Sequence, residues 1–152
     1  MAQYKAHSAI NLFVALPVLA GIALLALKQP LNLVLIGAGA FAYGTLFMSP
    51  DVDLAYNVKL FSVRGVLSFP FRTYAKVFAH RGLSHSLLFG TLTRVLWLGA
   101  YVLVALFVIY QFVPTQKKLM AFYLSYKLPL IAGFIGLFLA DACHILVDKL
   151  TD

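Results

Sequence analysis

The chain has 152 residues, 62% of them hydrophobic and only 11% charged, with a net charge of +7. Soluble domains carry about 25% charged residues, so composition excludes an ordinary soluble domain and points to one helical domain, residues 1–152, in a membrane. The positive charge does not imply nucleic acid, because the basic residues fall between long apolar runs, where they meet anionic headgroups, and no nucleic-acid motif is present.

Four segments read as membrane spans in an all-α, polytopic protein. Residues 8–27 form an uncharged run of about the length that crosses the hydrocarbon core. Lys5 precedes it, but the run is longer than a signal-peptide core and lacks a clear cleavage site, so it reads as a retained span. Residues 31–49 form the second span, closed by Pro50. Gly37, Gly39 and Ala42 in it match a dinucleotide fingerprint by chance, since that motif needs a preceding strand; here they serve helix packing. The loop 50–82 follows. In it Phe71, Tyr74 and Phe78 repeat at helical spacing, with Arg72 and Lys76 four apart on another face, which predicts a short interfacial helix. The third span, 83–113, contains one charge, Arg94. The fourth, 128–147, carries Asp141 and His144, and its lone cysteine, Cys143, reads as a packing residue. Ala132, Gly136 and Ala140 in the fourth span, and Ala40 and Gly44 in the second, stand at four-residue steps that let helices approach closely.

Four spans put both termini and the 50–82 loop on one side. That side carries Lys5, Lys59, Arg64, Arg72, Lys76, Arg81 and Lys149, against Lys28, Lys117, Lys118 and Lys127 on the other. The excess of positive charge predicts cytoplasmic N- and C-termini. The same layout gathers His7, Asp51, Asp53, His80, His85, Asp141, His144 and Asp148 toward that face. There is no glutamate in the chain, so these eight are nearly all of its metal-binding side chains. Asp141, His144 and Asp148 stand at i, i+3 and i+7 and share one helical stripe. Ionisable side chains at such depth face the bundle interior and mark function.

Histidine and aspartate suit a divalent ion, zinc or manganese first and iron next. Eight candidates imply two ions, or one ion with supporting residues. Asp51 or Asp53 suits a bridging role, with Asp53 placed in catalysis, and Arg81 suits an anionic substrate group such as phosphate. Ser84 and Ser86 read equally as supporting donors or as helix N-caps. Asp141 has two readings, a metal ligand or the ion-pair partner of Arg94. A zinc-protease HExxH needs a glutamate, and Gly82 to Ser86 falls short of the GxSxG nucleophile elbow.

Taken together, Ser49-Pro50-Asp51-Val52-Asp53, His80-Arg81-Gly82-Leu83-Ser84-His85-Ser86, Gly90-Thr91-Leu92-Thr93-Arg94 and His144-x3-Asp148 resemble a family of uncharacterised metal-binding membrane proteins. The chain is also similar to a broader group of bacterial inner-membrane proteins, the membrane-bound metal-dependent hydrolases. The resemblance spans nearly the whole chain. It implies that His7, Asp51, Asp53, His80, His85, His144 and Asp148 are metal-associated, and that the protein resides in a bacterial inner membrane. The 50–82 loop departs from the family pattern, which is richer in tryptophan and arginine. The expected function is a metal-dependent hydrolase at the cytoplasmic membrane face, acting on an amphiphilic ester or phosphoester, with the lipid bilayer as its setting. The alternative is a non-catalytic metal-binding protein in which the ion pins helix ends or supports a partner. A metal transporter is disfavoured, because the polar residues gather at one face and do not line a path through the midplane.

Overall fold

The computed structural model describes residues 2–48, 61–77 and 87–151. All regular structure among them is helical. Helix α1 runs over residues 2–26, with π-helical turns at Asn11–Ala15 and Ile22–Ala26. Helix α2 is Leu31–Phe47, α3 is Val63–Leu67, α4 is Phe69–Val77, α5 is Leu87–Tyr110 and α6 is Gln116–Thr151. Among the described residues, three stretches are long and apolar enough to cross a membrane: Ala6–Ala26, Phe89–Tyr110 and Gln116–Leu150. Helix α2 is apolar but shorter, at 17 residues. Large apolar side chains stand exposed along these helices, among them Phe13, Leu25, Leu35 and Val108. Isolated surface apolar residues are ordinary, whereas apolar faces of this extent mark a surface that meets lipid or another protein.

The local chemistry of the chain explains how these helices begin, bend and end. Proline at position 17 has no N–H and its ring crowds the carbonyl four residues back. The turn before it widens accordingly, and the Leu16 N–H reaches the carbonyl of Asn11, five residues back. Helices α1 and α5 stop in the same way. Lys28 and Gln111 take left-handed backbone, each at φ 49°, and the next residue folds back six positions, Gln29 N–H to Ala23 and Phe112 N–H to Leu106. These are left-handed helix closures one residue wider than a Schellman bond, with Lys and Gln where glycine is usual.

Helices α2 and α6 form the tightest seam. A Cβ placed on Gly136 would lie 2.1 Å from the Gly37 carbonyl oxygen, and one on Gly44 would lie 3.2 Å from the Ala140 Cβ. The small residues expected to admit close approach do so here, backbone against backbone. Alongside this seam, α1, α2 and α6 form an apolar pocket of about 450 Å³, open on one side and lined by Leu16, Leu27, Phe41, Leu128 and Leu139 among others.

The short helix expected after Pro70 is α4, and Pro70 sits in its first turn, where a missing N–H costs nothing. Its aromatic face points into the protein. Phe71 and Tyr74 are buried with Met48, packed by Tyr43, Val95, Trp97, Leu98 and Leu137. Trp97 Nε1 donates to the Pro70 carbonyl at 2.9 Å, and the Tyr74 hydroxyl meets Thr93 Oγ1 at 2.8 Å. Helix α4 is therefore docked on α5 by hydrogen-bonded aromatics.

One boundary differs from expectation. Residues 116–127, read as part of a loop because of Lys117, Lys118 and Lys127, continue the last helix. Leu119, Met120 and Ala121 are good helix formers, and Pro129 bends the helix instead of ending it. The bend falls at Tyr126, with φ −117° and ψ 19°, three residues before the proline, where the ladder loses its donor.

Candidate metal centre

Three donors from the two ends of the sequence converge. His7 projects from the first turns of α1, while His144 and Asp148 lie one turn apart near the end of α6. His7 Nδ1 is 3.0 Å from Asp148 Oδ1, and His144 Nε2 is 3.4 Å from Asp148 Oδ2. The two imidazoles meet edge to face, with ring centres 5.4 Å apart. One ligand atom from each of the three lies within 4.8 Å of the others, which makes the group able to hold a metal ion.

The spacing fits that role. Bond lengths of about 2.0–2.1 Å around a tetrahedral ion put neighbouring ligand atoms about 3.3 Å apart. The two separations to Asp148, one to each carboxylate oxygen, lie near that value, and the group as a whole spans up to 4.8 Å. Both histidines are buried, whereas the Asp148 side chain is 32% exposed, so the group opens toward solvent on the aspartate side. Two neutral imidazoles and one carboxylate are a borderline donor set suited to zinc-like ions, and three protein donors leave room for a water or substrate atom.

A second polar cluster lies deeper. Arg94, 1% exposed, directs Nη2 to Asp141 Oδ2 at 2.8 Å and Nε to the Gly90 carbonyl at 2.9 Å. Its Nη1 caps the Met48 carbonyl just past the end of α2, and Thr91 Oγ1 also donates to Asp141 Oδ2. The guanidinium thus answers a carbonyl orphaned at a helix C-terminus, where positive charge is favoured. One buried cation, one buried carboxylate and their hydrogen bonds join α2, α5 and α6.

Of the residues expected at a metal site, the structure brings together His7, His144 and Asp148. Asp141 stands in the ion pair with Arg94 and outside that three-residue group. Asp51, Asp53, His80, Arg81 and His85, with Ser84 and Ser86, lie outside the described residues. The i, i+3, i+7 stripe is real but divides between two tasks. Two contributors are not among the expected site residues. Thr91 shares a helical face with Arg94 three residues on, and Asn11 is a lone polar residue in an apolar span, four positions after His7. Those spacings were the available signals. Asn11 is buried and its Nδ2 donates to the Ala140 carbonyl at 3.4 Å.

No curated protein and no solved structure matches the chain significantly. A family model described as uncharacterized metal-binding protein (DUF2227) matches residues 2–152, nearly the whole length. With an all-helical architecture and a converging His, His and Asp group in place, the chain belongs to this metal-binding family.

Proposed function

We propose that this protein resides in a membrane, holds a divalent ion at its cytoplasmic end and hydrolyses an amphiphilic ester or phosphoester there. The observation that carries the reading is the meeting of His7 with His144 and Asp148 across 137 residues of chain, at one end of a bundle with continuous apolar sides. The family's metal-binding character supports the ion, and zinc or manganese fits the donor set.

A bound divalent ion supplies polarisation of an ester or phosphoryl oxygen and a nucleophile from water near neutral pH. His7 and His144 would hold it through ring nitrogens, and Asp148 through a carboxylate oxygen. The half-exposed Asp148 side gives a substrate headgroup its approach, while the buried imidazole side excludes water. Asp51, Asp53, His80 and His85 extend the ligand set in this proposal, a second ion included, and Arg81 orients the anionic group of the substrate. Hydrolysis is favoured over a pinning ion because the Asp148 side chain is 32% exposed and leaves the group open on one side, whereas structural metal sites are closed.

The test is metal content by mass spectrometry on detergent-purified protein, wild type beside His144→Ala and Asp148→Ala, followed by a screen on lipid phosphoesters. One or two equivalents in the wild type, lost in both variants, with metal-dependent turnover, is the expected result. Bound metal without turnover on any amphiphilic ester would leave the non-catalytic reading. Folded wild type that takes up no added metal would remove the metal centre altogether.

A further inference from the structure

Two buried polar atoms next to the metal group have no hydrogen-bond partner among the described residues: Asn11 Oδ1 and Thr45 Oγ1. Asn11 is 1% exposed and Thr45 is 5% exposed. Leaving such atoms unsatisfied forfeits their hydration without return, and native interiors rarely tolerate it without an ordered water or ion. A helical threonine usually returns its hydroxyl to the carbonyl four residues back, and Thr45 makes no such bond.

Their positions converge on one place. Asn11 follows His7 by four residues, so it lies one turn deeper along the same helix. Its amide donates to the Ala140 carbonyl, and Ala140 lies one turn deeper than His144. Thr45 is next to Gly44, whose added Cβ would touch Ala140 at 3.2 Å. Helices α1 and α2 therefore bring an unsatisfied acceptor and an unsatisfied hydroxyl to about the level of Ala140 on α6, one turn deeper than His144.

We propose that Asn11 and Thr45 form the floor of the metal centre, where they bind a water molecule that shares the site with a divalent cation. Asn11 Oδ1 accepts a hydrogen bond from that water, and Thr45 supplies the second contact. With the cation this makes three partners, the usual number for a buried water. Both residues are positioning residues. They orient the water, and through it they raise the affinity for the ion. The inference rests on the reading of His7, His144 and Asp148 as a metal centre.

The experiment titrates Co²⁺ into metal-free, detergent-purified protein, following heat and the visible absorption of the ion. Asn11→Leu and Thr45→Val are compared with wild type and with His144→Ala. The expected result is binding weakened about tenfold to a hundredfold in each floor variant, with a changed cobalt spectrum and, for Thr45→Val, a metal-free melting temperature equal to or above wild type. Thr45→Val exchanges an unsatisfied hydroxyl for a methyl and does not destabilise the empty protein, whereas Asn11→Leu also removes the bond to the Ala140 carbonyl and lowers the melting temperature. Thr45→Val, close in shape, answers the question if Asn11→Leu does not fold. Wild-type affinity and spectrum in both variants, with binding lost in His144→Ala, would overturn the floor alone. A Thr45→Val melting temperature that falls in step with affinity would assign that residue a structural role and also overturn it. A wild type that binds no cobalt would overturn the metal centre and the floor together.

Discussion

Gly136→Ala tests the α2–α6 seam, and its size can be worked from the structure. The added Cβ would lie 2.1 Å from the Gly37 carbonyl oxygen and 2.9 Å from its carbonyl carbon. Ordinary close carbon–oxygen contacts begin at about 3.3 Å, so the helices must part by roughly 1.2 Å. The obstacle is backbone and cannot rotate away. Overpacking of this kind costs about 1–3 kcal/mol or more, against about 1 kcal/mol that alanine gains over glycine in a helix. The net is a loss of up to about 2 kcal/mol. Gly39→Ala meets nothing within 4 Å and should gain up to about 1 kcal/mol, so the pair should differ by about 1–3 kcal/mol. Thermal unfolding followed by circular dichroism in one detergent reads the difference. His144 lies two turns beyond Gly136, so metal affinity should also fall in Gly136→Ala and not in Gly39→Ala. A Gly136→Ala protein as stable as Gly39→Ala would refute the backbone contact.

Arg94→Leu alone should cost about 3–5 kcal/mol, because it leaves Asp141 buried without its cation. Adding Asp141→Leu should recover much of that loss, and a melting-temperature cycle over the four proteins checks it. Metal content should survive in the folded double variant, since Asp141 lies outside the His7, His144 and Asp148 group. Gln111→Gly should raise stability by about 1 kcal/mol, because the left-handed backbone there favours glycine. An unchanged or lower melting temperature would count against the closure seen after α5. Trp97→Phe removes the bond to the Pro70 carbonyl, and should speed proteolysis around α4 while leaving the α2–α6 seam intact.

Much of the fold is legible in the sequence because apolar length and small-residue spacing are local properties. Ala6–Ala26 stands where residues 8–27 were expected, and Gly136, Ala140 and Gly44 pack as their four-residue steps imply. The first turn of α4 and its aromatic period were readable too. What could not be read is which partner each face meets. Phe71 and Tyr74 have the spacing of a membrane-facing stripe, yet Trp97 and Met48 cover them. The last helix begins early because three lysines resemble a loop, although lysine is a good helix former and proline can bend a helix without ending it. At the site, the stripe on α6 is visible in sequence. Its division is not, because the fate of Asp141 depends on Arg94, 47 residues away, and that of His144 on His7.

The shortness of α2 has a consequence for the surrounding lipid. Seventeen residues rise about 25 Å, against a hydrocarbon core of about 30 Å. The apolar stretches of α1 and α5, at 21 and 22 residues, are long enough to match that core. In a bilayer the leaflet beside α2 has to thin by about 5 Å or let headgroups settle inward. If that depression falls at the end of α2 where Arg94 caps the Met48 carbonyl, the same end as the histidines, then under the proposed function an amphiphilic substrate would meet the site with its polar group already lowered, and the hydrophobic mismatch would itself act as a guide.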